Sequence, residues 1–226
     1  MTDELDRPDL FINRELSWLE FNRRVLAQAS DERTPLLERL RFVCIAASIM
    51  DEFFEIRVAG LRQQYEYGAT QRGADGLTAG EQLRRVSAVT HELVTQQYRV
   101  LFDEILPGLD AEGVRLLRPK DWNRKQAGWA KRYFNRELAP VMSSIGLDPA
   151  HPFPRVLNKS LNFMVTLEGR DAFGRSSNMA ILQAPRSLPR LIRLPETCAQ
   201  GQHDFVLLSS LIHRFASDLF AGMRAT

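Results

Sequence analysis

Two cysteines in 226 residues are too few for a disulfide framework, and Cys44 and Cys198 stand too far apart for metal-ligand spacing. A reducing compartment fits that scarcity. Charge of one sign is also missing. Thirty Lys and Arg against 28 Asp and Glu leave a net charge of +2, with no acidic or basic tail. That balance argues against a dedicated nucleic-acid or membrane-surface role, and no nucleic-acid partner is expected. No apolar run approaches the roughly 20 residues needed to cross a bilayer. The acidic start MTDELDRPDL does not read as a secretory signal. These absences predict a cytoplasmic protein and leave peripheral membrane association open. Lysine is scarce too, at four of the thirty cations, Lys120, Lys125, Lys131 and Lys159. The arginine excess could serve phosphate recognition, but a genome-wide bias is the simpler explanation.

What is there reads as globular. Hydrophobic residues make up 44% and charged residues 26%, which excludes a disordered or fibrous chain. The length allows one large domain or two small ones. From Asn13 onward, Trp18, Phe21, Val25 and Ala29 form an apolar stripe that Leu16, Leu19 and Leu26 widen. Thr34 and Pro35 predict the start of a second helix, with Thr as cap and Pro at the first helical position. Ser48 and Asp51 have capping-box spacing and predict a third helix start. Thr78 and Glu81 are a second such box, opening a long helix that Pro107-Gly108 should stop. Four helices on short connections predict an antiparallel bundle.

Beyond Gly108 the pattern changes. Short strands are expected at 114–117, 161–167, 179–183 and 191–194, with a hairpin across 169–177. A helix capped by Asp121 carries Trp122, Trp129, Tyr133, Phe134 and Leu138, and a last one carries Ile212, Phe215, Leu219 and Phe220. The overall class is therefore mixed α plus α/β. An N-terminal antiparallel helical bundle, residues 1–107, precedes an α+β head domain, residues 108–226. The chain stops at Arg224-Ala225-Thr226 with no clear terminal element, so the head is expected to be incomplete.

Candidate chemistry is thin. Asp51-Glu52 beside Arg57 could hold Mg²⁺ and a phosphate, or serve only as a cap and a dipole partner. His91, His151, His203 and His213 lack the spacing of a zinc site. His151, held between prolines in DPAHPFP, could act as base or phosphate acceptor, or bond its own turn. No GxSxG, P-loop, GxGxxG or CxxC motif occurs.

Some strings are more specific than any periodicity. FINRELSWLEFNRRVL and PLLERLRFVCIAASIMDEFFEIRVAGLRQQ resemble the N-terminal helical domain of bacterial polyphosphate kinases of the first type. YFNRELAPVMSSIGLDPAHPFPRVLNKSLNFMV and PRLIRLPE resemble that family's head, or middle, domain. The resemblance covers residues 9–222 in the family's order. It implies reversible transfer of the ATP γ-phosphate to polyphosphate, with Mg²⁺ and a phosphohistidine formed on two C-terminal domains that have no counterpart here. No catalytic residue is therefore expected in this chain, and none of its four histidines inherits the nucleophile's role. The family presents an asparagine to the ATP base just before a Leu-Asp-Glu-Phe-Phe string. The string here is Met50-Asp51-Glu52-Phe53-Phe54, so Ile49, with Ser48 beside it, takes the nucleotide-binding position. Isoleucine packs on a ring but makes no side-chain hydrogen bond. The resemblance further implies ATP and polyphosphate as partners and a homo-oligomer formed through the head. A standalone, non-catalytic nucleotide- or protein-binding module is the other reading of the same residues.

Overall fold

The computed structural model describes residues 7–147, 152–169, 178–220 and 222–225. The chain divides into two compact units, Met1–Ala111 and Glu112–Thr226.

The first unit is a bundle of three long helical rods. α1, Arg14–Ser30, begins where the Asn13 side-chain oxygen accepts the backbone N–H groups of Glu15 and Leu16, at 3.0 and 2.9 Å. Its buried stripe is Glu15, Leu19, Asn22, Leu26 and Ala29. The expected stripe through Phe21 is wrong by one row, because two polar residues occupy the core face and Phe21 is exposed. α2, Leu36–Glu52, starts one residue past Pro35, and Thr34 makes no side-chain cap.

No helix starts at Ser48. α2 runs on through a π-helical turn, Phe53–Val58, into α3, Ala59–Glu66. Ser48 and Asp51 are mid-rod, where the backbone N–H groups are already bonded and no cap can form. A π turn holds one extra residue and rotates the apolar stripe, which in sequence looks like a fresh helix. α4, Ala79–Arg99, does carry the expected capping box: Glu81 N–H reaches Thr78 Oγ1 at 3.3 Å and Thr78 N–H reaches Glu81 Oε2 at 2.8 Å. It too passes through a π turn, Val100–Ile105, into α5, Leu106–Ala111. Pro107 therefore does not stop the rod. The wider i→i−5 turn before it relieves the clash a proline ring makes in a regular helix. The chain turns at Gly113 instead, with φ of +76°, a conformation that suits glycine.

Pairs across the bundle set its topology. Asn13 bonds Gln82 at 3.1 Å and Arg23 approaches Glu92 at 3.7 Å, so α1 and α4 run in the same direction. The α2–α3 rod lies antiparallel to α1. Leu19, Leu26, Met50, Phe53, Val86 and Leu93 fill the core.

The second unit is α+β, with two small sheets. β1, Val114–Leu116, pairs in parallel with β6, His203–Leu207, and β6 pairs antiparallel with β5, Leu191–Arg193. The other sheet has the order β2-β4-β3-β7, over Ser143–Gly146, Met179–Gln183, Asn162–Gly169 and Met223–Ala225. β3 and β4 are antiparallel neighbours, Asn162 opposite Gln183, and the expected hairpin connection at 170–177 lies outside the described residues. β2, β6 and β7 are strands the sequence reading missed.

α6, Arg124–Tyr133, is capped by Asn123, not Asp121. Asn123 Oδ1 accepts the Gln126 N–H at 2.9 Å, and the Gln126 side chain returns the bond. α6 and α7, Leu208–Phe215, enclose a core that includes Phe134, Leu138, Leu182, Leu208 and Leu211.

One buried ion pair ties the smaller sheet to its turn. Asp204 on β6 accepts Arg115 Nε and Nη2 from β1 at 2.8 and 2.7 Å, and the backbone N–H groups of Gln200 and Gly201 at 2.7 and 3.1 Å. Gly201 permits this closeness. A Cβ there would stand 2.7 Å from both Arg115 Nε and Asp204 Oδ1.

Candidate functional site

A cleft lies in the first unit, at the start of α1 and along the Phe53–Val58 π turn. Its volume is about 580 Å³, and Arg14, Glu15, Trp18, Phe53, Arg57 and Gln82 are among its lining residues. That size falls in the range of small-molecule pockets. The local backbone explains the arrangement. Asn13, besides capping α1, donates its amide to Asp75 Oδ2 at 2.6 Å and to Gln82, tying the helix start to α4 and the loop before it. Glu15 then falls in the first turn, where the helix dipole favours a carboxylate.

Glu15 is buried, with 7% of its side chain exposed, and it does not stand alone. Arg14 reaches it with Nη2 at 3.1 Å and Nε at 3.3 Å, and Arg57 Nη1 stands 3.6 Å from its Oε2. The Glu15 carboxylate pushes the Arg14 guanidinium further up. Trp18 stacks on Phe53 at 4.9 Å with their planes 14° apart, which builds an aromatic wall. A planar ring, a guanidinium with room to move, and the amides of Gln64 and Gln82 thus share one opening. Such a set can hold a polar, ring-bearing ligand.

The sequence-derived candidates land unevenly around this cleft. Glu52, Phe53 and Arg57 line it, and Asp51 does not. Ser48 is exposed and Ile49 half-buried on α2, one helical turn before Glu52 and Phe53, outside the cleft lining. His91 is exposed on α4, His213 is exposed on α7, and His203 on β6 lies 3.1 Å from Arg193. His151 lies outside the described residues. Cys44 is exposed and Cys198 buried, both unpaired, and burial pushes the Cys198 thiol up. Glu15 and Trp18 were missed as site residues. The signal was their position in the first two turns of α1, behind a capping asparagine.

Among the described residues, no three His, Cys, Asp or Glu side chains gather in a way that could hold a metal ion. Mg²⁺ wants oxygen ligands in near-octahedral geometry. Glu15 is already held by Arg14 and Arg57, and Glu52 alone is no cage, so these residues do not fit Mg²⁺. No described helix is long and apolar enough to cross a membrane.

A family model described as polyphosphate kinase N-terminal domain matches residues 11–117, and one described as polyphosphate kinase middle domain matches residues 125–226. The chain is 53% identical over 220 residues to the polyphosphate kinase of Pseudomonas aeruginosa, covering 97% of this chain and 32% of that protein. To the polyphosphate kinase of Burkholderia cenocepacia it is 53% identical over 209 residues, covering 92% and 30%. It spans about a third of the length of these curated relatives. The crystal structure of polyphosphate kinase from Porphyromonas gingivalis shares the fold, with a TM-score of 0.79 and 24% identity over 96% of this chain and 31% of that one. A helical module followed by an α+β module is thus shared with a group of phosphotransferases. The chain belongs to the polyphosphate kinase family, over its N-terminal and middle domains.

Proposed function

We propose that this chain is the N-terminal and middle portion of a cytoplasmic polyphosphate kinase that moves the ATP γ-phosphate reversibly onto polyphosphate. In this reading the first unit supplies one wall of the ATP pocket, and the second supports assembly into a homo-oligomer. The phosphohistidine and the Mg²⁺ belong to regions of such enzymes with no counterpart among residues 1–226. The observation that carries the reading is the cleft itself. Glu52 and Phe53, from the family's Asp-Glu-Phe-Phe string, line it together with Trp18 and Arg57. The oligomer is supported by Val141, Phe153, Val156, Leu157 and Met164, all large apolar residues exposed on the second unit.

Transfer of the γ-phosphate needs an in-line nucleophile and clustered cations around the developing charge. The described histidines have no such surroundings. The purified chain, incubated with γ-labelled ATP and Mg²⁺ at alkaline pH, is therefore expected to make no polyphosphate and to take up no acid-labile label. Stoichiometric label on any histidine overturns the division of labour.

Ile49 is the position to test in an assembled enzyme. Ile49→Asn restores a side chain that can bond the base, and one hydrogen bond contributes about 0.5–1.5 kcal/mol. The ATP KM is expected to fall by up to about tenfold with kcat unchanged. An unaltered KM shows that this turn of α2 does not face the base. Substituting Ser48 or Asp51 should cost no cap, since neither caps a helix.

A further inference from the structure

Charge is divided unevenly between the two units. Glu112–Thr226 carries 17 Lys and Arg against 9 Asp and Glu, a net +8, whereas Met1–Ala111 carries 13 against 19, a net −6. Within the second unit, cations gather on the outer side of α6. Arg124, Lys125, Arg132 and Arg136 are all exposed, the last on the π turn, Phe134–Leu138, that continues the helix. Lys125, Arg132 and Arg136 recur at i, i+7 and i+11, so they form one stripe along about 16 Å of rod. Gly128 leaves the stripe bare midway, and Arg132 folds over the gap: a Cβ at Gly128 would stand 3.5 Å from its Nη1. The first turn of α6 holds no acidic residue, although the positive end of the helix dipole favours one and disfavours Arg124 and Lys125. Asp121 and Asp218 are taken by Arg118 and Lys131. Glu137 follows Arg136 by about a quarter turn, off the stripe. The four cations of this face have no ion pair among the described residues.

We infer that this face of α6 is a binding strip for a linear polyphosphate chain, distinct from the cleft beside Glu15. An unbranched polyanion with a negative charge on every phosphate matches a row of cations that lack counter-charges, and it sheds condensed counterions when it lies along them. Each Arg presents a flat fork of N–H donors to two phosphate oxygens at once, and the Lys ammonium adds a point charge. The strip discriminates among polyanions by what it lacks. The rings of α6, Trp129 and Tyr133, are half-buried against the second unit's core, so the face offers no platform for stacked bases. The exposed residues from Arg124 to Glu137 are all polar, so none enters a lipid interface. The choice of polymer rests on the proposed polyphosphate kinase activity; the row of cations does not.

Fluorescence anisotropy of end-labelled long-chain polyphosphate with the full 226-residue chain gives the test. Binding should weaken with salt, log Kd changing with log salt by about 0.7 for each phosphate contact of a flexible chain. Lys125→Gln, Arg132→Gln and Arg136→Gln together should raise Kd about tenfold or more and lower that slope by about 2. All three side chains are exposed and Lys125 opposes the helix dipole, so the thermal midpoint should hold or rise. Arg132→Glu alone, which reverses the middle charge, should weaken binding as well. Arg155→Gln, Arg186→Gln and Arg190→Gln together remove the same charge from the loops before β3 and β5, and should change Kd by less than about threefold. Tripolyphosphate, too short to span the strip, should displace the long chain only at a much higher concentration of phosphate. Parent-like Kd in the α6 triple variant, an equal loss in the loop variant, or no binding to the parent chain each overturns the proposal. Displacement by single-stranded RNA or by phosphatidylserine vesicles as effective, charge for charge, as by unlabelled polyphosphate overturns it too. Loss confined to the α6 variants upholds it. Phosphohistidine labelling by ATP, which would overturn the proposed division of labour, leaves this result unchanged, so the two readings fail separately.

Discussion

Asp204→Ala should unfold the second unit at markedly lower denaturant, with a loss of about 3 kcal/mol. The carboxylate is 1% exposed as a residue and accepts four bonds, two from Arg115 and one each from the Gln200 and Gly201 N–H groups. Removing it leaves a guanidinium that is 27% exposed without its counter-charge, and two backbone donors without acceptors. That loss is a large share of a typical 5–15 kcal/mol stability. Asp204→Asn keeps the shape and some of the bonds, so it should fall between. The pH dependence has a definite sign. Burial pushes this carboxyl up, but Arg115 and the two N–H groups outweigh burial and hold it below the usual carboxylate range. A depressed folded pKa means the stabilisation is complete above the unfolded value, about 3.9, and is lost as pH falls through the folded one. The parent should therefore lose stability below about pH 4 more steeply than Asp204→Asn. Hydrogen exchange by mass spectrometry places the effect. Faster exchange in 114–116 and 200–207, with the first unit unchanged, is expected; uniform protection across the variant would refute the pair's role.

Phe53→Ala should be the most damaging single change in the first unit. Phe53 is 1% exposed, stacks on Trp18, and meets the edge of Phe54 at 5.9 Å. Burial and cavity effects for such a truncation come to about 3–5 kcal/mol, with the ring contacts inside that figure. The substitution also falls at the first residue of the π turn, where the rod changes pitch, so the aromatic wall of the cleft goes with it. Trp18 emission should shift to longer wavelength as its covered face meets water, and the urea midpoint should fall. Phe53→Leu, which keeps most of the volume, should recover more than half of the lost stability. A variant with parent-like emission and midpoint would mean that Phe53 is not the keystone of this cleft.

The sites read correctly from sequence are those in which partner residues are close along the chain. The Thr78–Glu81 box needed only its own spacing and free N–H groups, and it stands where expected. Ser48 and Asp51 show the same spacing without the free N–H groups, since the rod from Leu36 to Glu66 never breaks. Spacing alone cannot tell a helix start from a π turn, because both displace the apolar stripe. Asn22 and Glu15 were left off the core face for a related reason. Polarity predicts exposure until a partner is known, and Ala46 O for Asn22 or Arg57 for Glu15 comes from another helix.

Composition and local punctuation thus set out a helical first half and an α+β second half, with a boundary read at Pro107-Gly108, and a set of strings specific enough to name a family; the structure divides the chain between Ala111 and Glu112. Tertiary structure alone decided which carboxylates matter. Arg115 and Asp204 are separated by 89 positions, and their strands meet in parallel, a register that no local pattern encodes. The cleft is likewise built from α1, the π turn and a glutamine of α4. Local structure follows from steric and hydrogen-bonding preferences that act within one helical turn. A buried ion pair or a cleft depends on desolvation and packing between segments far apart in sequence, and those energies exist only after the chain has brought the segments together.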